Sequence, residues 1–255
     1  MALDALTALQ AAQRPTAPET ALRPQRLLLA GAGGALGRAV LHEALASARF
    51  AGIEVLTAGA MQPGLRGLHP TPHDARAATP IAGEIALVVF DRGRDFYGRD
   101  EAWHLPEPAE LPALARRLRA GGVHTLVVVC PTAPSLLPQA LQQGLADLNE
   151  QAIAALGFDR LLFVRPTQDA PKPTLANHAE RLAAWMLSQL RYMIPARERP
   201  VRAQTVAAFV FEVLRQWPGA RVPAGTRVAG APLLWAAAQQ AGPAQAVANW
   251  LNAEA

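Results

Sequence analysis

Lysine is almost absent from this chain: of 24 basic residues, 23 are Arg and only Lys172 is Lys. Any mechanism that needs a lysine elsewhere is excluded, whether in a phosphate-binding P-loop or as a Schiff base. The residue four before Lys172 is Gln168, so the chain contains no Tyr-x-x-x-Lys pair. Cys130 is the single cysteine, which excludes a disulfide scaffold within the chain and predicts a reducing, cytoplasmic setting. No run of about 18 apolar residues occurs, so no membrane-spanning helix is expected. The N-terminus lacks the basic-then-apolar order of a secretory leader. Aromatic residues make up only 5% and no nucleic-acid-binding module is present, which argues against nucleic acid as a partner despite the net charge of +4.

What remains is ordered like an α/β protein. Residues 1–24 read as a short helix, with Leu3, Leu6 and Leu9 three apart, followed by the linker Arg14-Pro-Thr-Ala-Pro18. Residues 25–255 read as one domain of ordinary size. Its strands are expected at 26–30, 53–57, 65–69, 85–90, 125–129 and 160–164. Helices are expected after the first strand and at 110–120, 139–156, 177–192, 203–217 and 232–240. Apolar runs alternating with helices predict a doubly wound parallel sheet.

The most specific feature follows the first strand directly. Gly31, Gly34 and Gly37 form G-x-x-G-x-x-G, with Gly33 as a fourth glycine. Such a turn lets backbone N–H groups approach a pyrophosphate at a helix N-terminus. Candidate cofactor contacts are therefore Gly31, Gly33, Gly34, Ala35, Leu36 and Gly37. The second strand ends in Thr57-Ala58-Gly59, without the acid that would bind the ribose hydroxyls of NAD. Thr57, Arg38 and Arg66 complete the candidate set, and the two arginines tilt the expectation toward NADP. A glycine turn without a ligand is the alternative.

Three segments resemble atypical members of the short-chain dehydrogenase/reductase superfamily, closest to the Tat-interacting-protein-like branch. They are Leu27–Gly37, the stretch from Glu150 through Leu156-Gly157-Phe158 and the next strand to Arg165-Pro166-Thr167, and Val201–Ala207. The resemblance implies a Rossmann fold and an NAD(P) cofactor. It also implies a proton-transferring tyrosine near Gln142 and a lysine near Ala146. Neither residue is there, and Cys130-Pro131-Thr132 stands where a catalytic serine is expected, with Thr132 and Ser135 as the nearby hydroxyls. Alanine is no conservative exchange for that lysine, and even arginine would replace it poorly. No catalytic residue is therefore assigned.

Other groups supply competing readings. Tyr97 lies in a polar loop, 91–108, with Asp91, Arg92, Arg94, Asp95 and His104, and could join an unusual acid/base group in an NADP-dependent oxidoreductase. Lys172 follows the sixth strand at the ligand-facing edge. His69, His73 and Asp74 have loosely metal-like spacing but sit among prolines, and no metal site is assigned. As a nucleophile Cys130 would need a positioned base, and His124 stands at the other end of its strand, so a buried apolar cysteine is the better reading. Arg116, Arg117 and Arg119 suit a helix C-terminus. Trp185, Trp217, Trp235 and Trp250 read as packing or interface residues. A third reading makes the chain a non-enzymatic assembly subunit or homo-oligomer, joined through the N-terminal helix and these tryptophans.

Overall fold

Leu27, Leu28, Leu29 and Ala30 are all fully buried, because their strand lies in the middle of a sheet with both faces covered. The computed structural model describes residues 25–62, 64, 66–74, 79–91, 99–130, 150–166, 201–240 and 242–253. Seven strands form one sheet: β1 (Gln25–Ala30), β2 (Phe50–Thr57), β3 (Leu68–Pro72), β4 (Ile85–Val89), β5 (Thr125–Val129), β6 (Arg160–Val164) and β7 (Gly225–Ala229). Every pairing is parallel. The order is β3-β2-β1-β4-β5-β6-β7, the doubly wound Rossmann-like arrangement expected from the sequence.

Alternation along the strands divides the core. Leu27, Leu29, Val55, Leu87 and Val127 face one side, under α1 (Gly34–Ala46) and α3 (Ala203–Gln216). Leu28, Ala30, Ala86, Val88 and Val128 face the other, under α2 (Leu111–Ala120), Ile153 and Phe158. Helix α1 buries Leu36, Val40 and Ala44, and α2 buries Leu111, Leu114, Ala115 and Leu118, both at helical spacing. Helix α3 packs against α1, and also against α4 (Ala231–Ala238) and α5 (Ala244–Ala253).

Several boundaries differ from the sequence expectation. The third strand begins at Leu68 rather than near 65, and it carries Pro70 and Pro72 because it is the sheet edge, where a missing N–H costs no ladder bond. The second strand starts earlier, at Phe50. Strand β7 and helix α5 are additional. Of the helix expected at 139–156, residues 150–154 are helical and the earlier part lies outside the described residues. The expected helices in 1–24 and at 177–192 also lie outside them.

The C-terminal elements are tied together by one buried cation. The Arg227 guanidinium lies 5.8 Å from the Trp217 ring centre and 5.5 Å from that of Trp250, and donates to the Leu251 carbonyl at 3.1 Å. Trp217 is fully buried, which makes it a packing residue. No described helix is long and apolar enough to cross a membrane.

Candidate functional site

The sheet order reverses at β1, with β2 and β3 on one side and β4 onward on the other. A crevice therefore opens at the carboxyl ends of β1 and β4. The glycine turn lies in it. Gly31 has φ +87°, and a Cβ there would stand 2.0 Å from the Val89 carbonyl oxygen. A Cβ on Gly37 would stand 2.1 Å from the Gly31 oxygen, so α1 can approach the turn only with glycine at both places. Gly34 has φ +71° and opens α1 with Gly33 as its cap, but Gly33 has no side chain to bind the free N–H groups. Asp91, just past β4, does this instead: the Leu36 N–H donates to its Oδ2 at 2.7 Å. A carboxylate on a helix N-terminus is electrostatically favourable, and it is bound as an external anion would be.

Residues 99–106 then cross the crevice as a strap. Arg99–Ala102 form a 3-10 turn. Beyond it Trp103 bridges Thr57 in antiparallel fashion. The Ala58 N–H donates to the Ala102 carbonyl at 3.0 Å, the His104 N–H to the Leu56 carbonyl at 3.0 Å, and the Gly31 N–H to the His104 carbonyl at 3.1 Å. Side chains of the strap reach the glycines: from the Cβ position of Gly33, Leu105 Cδ2 is 2.8 Å away and Asp100 Cγ 3.3 Å. Pro106 Cδ stands 3.3 Å from the Cβ position of Gly31. Asp100 is buried and its Oδ2 has no hydrogen-bond partner.

The sequence candidates separate accordingly. Gly31, Gly33, Gly34, Leu36 and Gly37 line the turn, Ala35 is exposed beside it, and Thr57 meets it through the strap. The Thr57 hydroxyl donates to the Gly59 carbonyl at 2.7 Å. Arg38 is exposed on α1, and its Nε donates back to the Gly34 carbonyl at 3.0 Å. Arg66 does not join this group. It precedes β3 beside Gly67, whose carbonyl accepts from the Ile53 N–H (2.9 Å), so it stands at the opposite end of the strands. The four residue steps from Ile53 to Thr57 put about 13 Å between that end of the strands and the crevice. The polarity of 91–108 predicts a loop, whereas Asp91 and 99–106 are packed onto the turn. The signal was the apolar run Trp103-His-Leu105-Pro106 inside that loop.

A histidine pair anchors the strap from the side. The rings of His73, just after β3, and His104 lie 4.0 Å apart, centre to centre, at 39°. Burial, His104 and Arg117 lower the His73 pKa from 6.5 to about 4, against the opposing pull of Glu110 and Asp74. His104 is also lowered, by burial first, while Glu110 acts the other way. His73 therefore pairs with the strap rather than with His69. A groove of about 190 Å³ beside it is lined by Leu56, Thr71, His73, Ile81 and Arg117, among others. Arg117 does not cap α2 but reaches outward, donating to the Thr79 and Asp74 carbonyls at 3.0 and 2.9 Å.

At the end of β5, burial, with Glu150 adding to it, pushes the Cys130 thiol up to about 12, so the thiolate that a nucleophile needs is disfavoured. Arg165 holds the Glu150 carboxylate at 2.6 Å. Tyr97, Thr132, Ser135, Gln142, Ala146 and Lys172 lie outside the described residues.

No protein-family model matches the chain, and no curated protein does. Among solved structures it is similar to a nucleoside-diphosphate-sugar epimerase from Staphylococcus aureus (16% identity, 80% of this chain and 70% of that one, TM-score 0.47). It is also similar to a uronate dehydrogenase from Agrobacterium tumefaciens complexed with NAD (16%, 81% and 76%, TM-score 0.46). A third is the Citrobacter sp. triphenylmethane reductase complexed with NADP(H) (14%, 74% and 65%, TM-score 0.45).

Proposed function

We propose that this chain is a nicotinamide-dinucleotide-binding protein of the short-chain dehydrogenase/reductase type, without the tyrosine–lysine chemistry of that superfamily, and that it acts by binding rather than turnover. The observation that carries the reading is the first turn of α1. It sits at the switch point of the sheet, is reached by glycines that tolerate no Cβ, and already holds a carboxylate on the Leu36 N–H. Those are the properties a pyrophosphate requires. The backbone of the turn fits such a group, but the space above it is filled by Asp91, Asp100 and Leu105, so a dinucleotide has to displace them. With Arg66 at the far edge, the tilt toward NADP rests on Arg38 alone. The single cysteine keeps the reading of a cytoplasmic protein.

The strap also favours a second reading, a non-enzymatic subunit whose crevice stays closed. Titration with NADH and NADPH, followed by nicotinamide fluorescence, separates the two. Saturable binding of either cofactor, with no oxidation against a panel of carbonyl compounds, supports the first. No binding at millimolar cofactor overturns it in favour of the second, and turnover overturns the claim that catalysis is absent.

A further inference from the structure

All three buried side-chain atoms without a hydrogen-bond partner among the described residues belong to the strap or to its anchor: Asp100 Oδ2, His73 Nδ1, and His104 Nε2, which faces Glu110 Oε2 at 3.6 Å, beyond hydrogen-bond reach. Unpaired polar atoms are unfavourable when buried, and each regains a partner from water once exposed. The closed strap is therefore held against a counter-pull. What holds it is also countable: three backbone hydrogen bonds to Gly31, Leu56 and Ala58, the packing of Leu105 and Pro106 on the glycines, and the stacked imidazoles.

We infer that residues 99–106 and Asp91 form an internal latch that competes with the dinucleotide for the glycine turn. This inference rests on the binding reading above. Asp91 takes the Leu36 N–H that a phosphate oxygen would use. The Asp100 carboxyl lies against Gly33, so a second acidic group stands over a turn whose helix end attracts anions. An incoming pyrophosphate and these carboxylates repel one another, and both cannot occupy the first turn of α1. Binding then opens the strap, and opening hydrates Asp100, His73 and His104. Ligand occupancy is thereby coupled to a change at the surface of the crevice, a signal that needs no chemical step.

The test compares the full-length wild type with Asp91→Ala and Asp91→Asn in NADH and NADPH titrations, with amide hydrogen exchange followed at Ala58 and His104. Asp91→Asn keeps an acceptor for Leu36 but removes the charge, so it remains informative if Asp91→Ala folds poorly. The latch predicts at least tenfold tighter dinucleotide binding by Asp91→Ala, a smaller gain in Asp91→Asn, and exchange at Ala58 and His104 at least tenfold faster when wild type is saturated. If the wild type binds but the variants bind no tighter and those amides are not deprotected, the latch is overturned and the binding reading stands. If no protein of the three binds at millimolar cofactor, both fall.

Discussion

Acidification should weaken this protein through one identifiable contact, the His73–His104 stack. Its neighbours are known on every side: His104 from the strap, Arg117 from α2, Glu110 from the turn before α2, and Asp74 from the chain after β3. Burial dominates for both rings, so both are neutral at pH 7. A histidine with a lowered pKa binds its proton less readily when folded than when unfolded. The stability it contributes is complete above pH 6.5, is lost as pH falls through the range from 6.5 to about 4, and changes no further below that. At about 1.4 kcal/mol per tenfold change in proton affinity, this range sets a ceiling of about 3 kcal/mol for His73. The ring is partly open to water, and screening reduces the expected loss to about 1–2 kcal/mol. Urea unfolding of wild type and His73→Gln at pH 7.5 and 4.5 isolates the effect, because carboxylate titrations common to both proteins cancel. The wild type should lose about 1–2 kcal/mol more than the variant over that interval. Equal losses would show that the imidazole takes its proton as easily in the fold as out of it, and the stack would then have no energetic role.

Packing and burial set four further outcomes. Gly37→Ala places a Cβ 2.1 Å from the Gly31 oxygen and 2.7 Å from the Ala32 carbonyl carbon, both backbone atoms, so it should cost about 3 kcal/mol or more in urea unfolding. Gly59→Ala, with nothing within 4 Å, should stay within about 1 kcal/mol of wild type, and similar values for the two would refute the close approach of α1 to the turn. Cys130, partly buried and with its thiol pushed up to about 12, should react with iodoacetamide at pH 8 far more slowly in the native protein than in denaturant; equal rates would contradict that environment. Arg227→Met keeps much of the volume but loses the bond to Leu251 and the contacts with Trp217 and Trp250, and should cost about 1–3 kcal/mol, read as a lower Tm.

How much could be read from the chain depended on whether a feature was local. The run Leu27–Ala30 announces a strand covered on both faces, and the glycines that follow it admit few other conformations. Both were legible for that reason. Strand β3 is not legible at its true position because Pro70 and Pro72 argue against a strand unless its place at the edge is known, and that place is set by pairing with β2. Strand β7 gave no alternating signal at all: Arg227 points inward and Val228 outward, the reverse of the usual pattern, because two tryptophans from elsewhere in the chain receive the guanidinium. Helix α5 is rich in small residues, and only Val247 and Leu251 mark its buried face with bulk. The strap was the largest omission. Asp91, Asp100 and His104 look like loop residues to any window of sequence, and their meaning comes from Leu36, Gly33 and His73 respectively, all more than 30 positions away.

The place of Asp91 is itself a consequence of register. Ala30 of β1 pairs with Val88 of β4, so the residues three further on from each, Gly33 and Asp91, leave the sheet side by side. Any side chain at 91 therefore meets the first turn of α1, and an acid there does two things at once. It caps the helix, a contribution of about 0.5–2 kcal/mol, and it fills the place of an anionic ligand. Removing it should then move two quantities in opposite directions. Asp91→Ala should melt at a lower temperature than wild type when free. At an equal saturating concentration of dinucleotide it should gain more, since ligand stabilisation grows as RT ln(1 + [L]/Kd) and Kd has fallen. A residue that only capped α1 would lower the free Tm and leave the ligand-induced gain unchanged. A residue that bound the cofactor directly would lower both. Only competition for the helix N-terminus gives opposite signs in a single variant, and melting curves with and without cofactor are enough to tell the three apart.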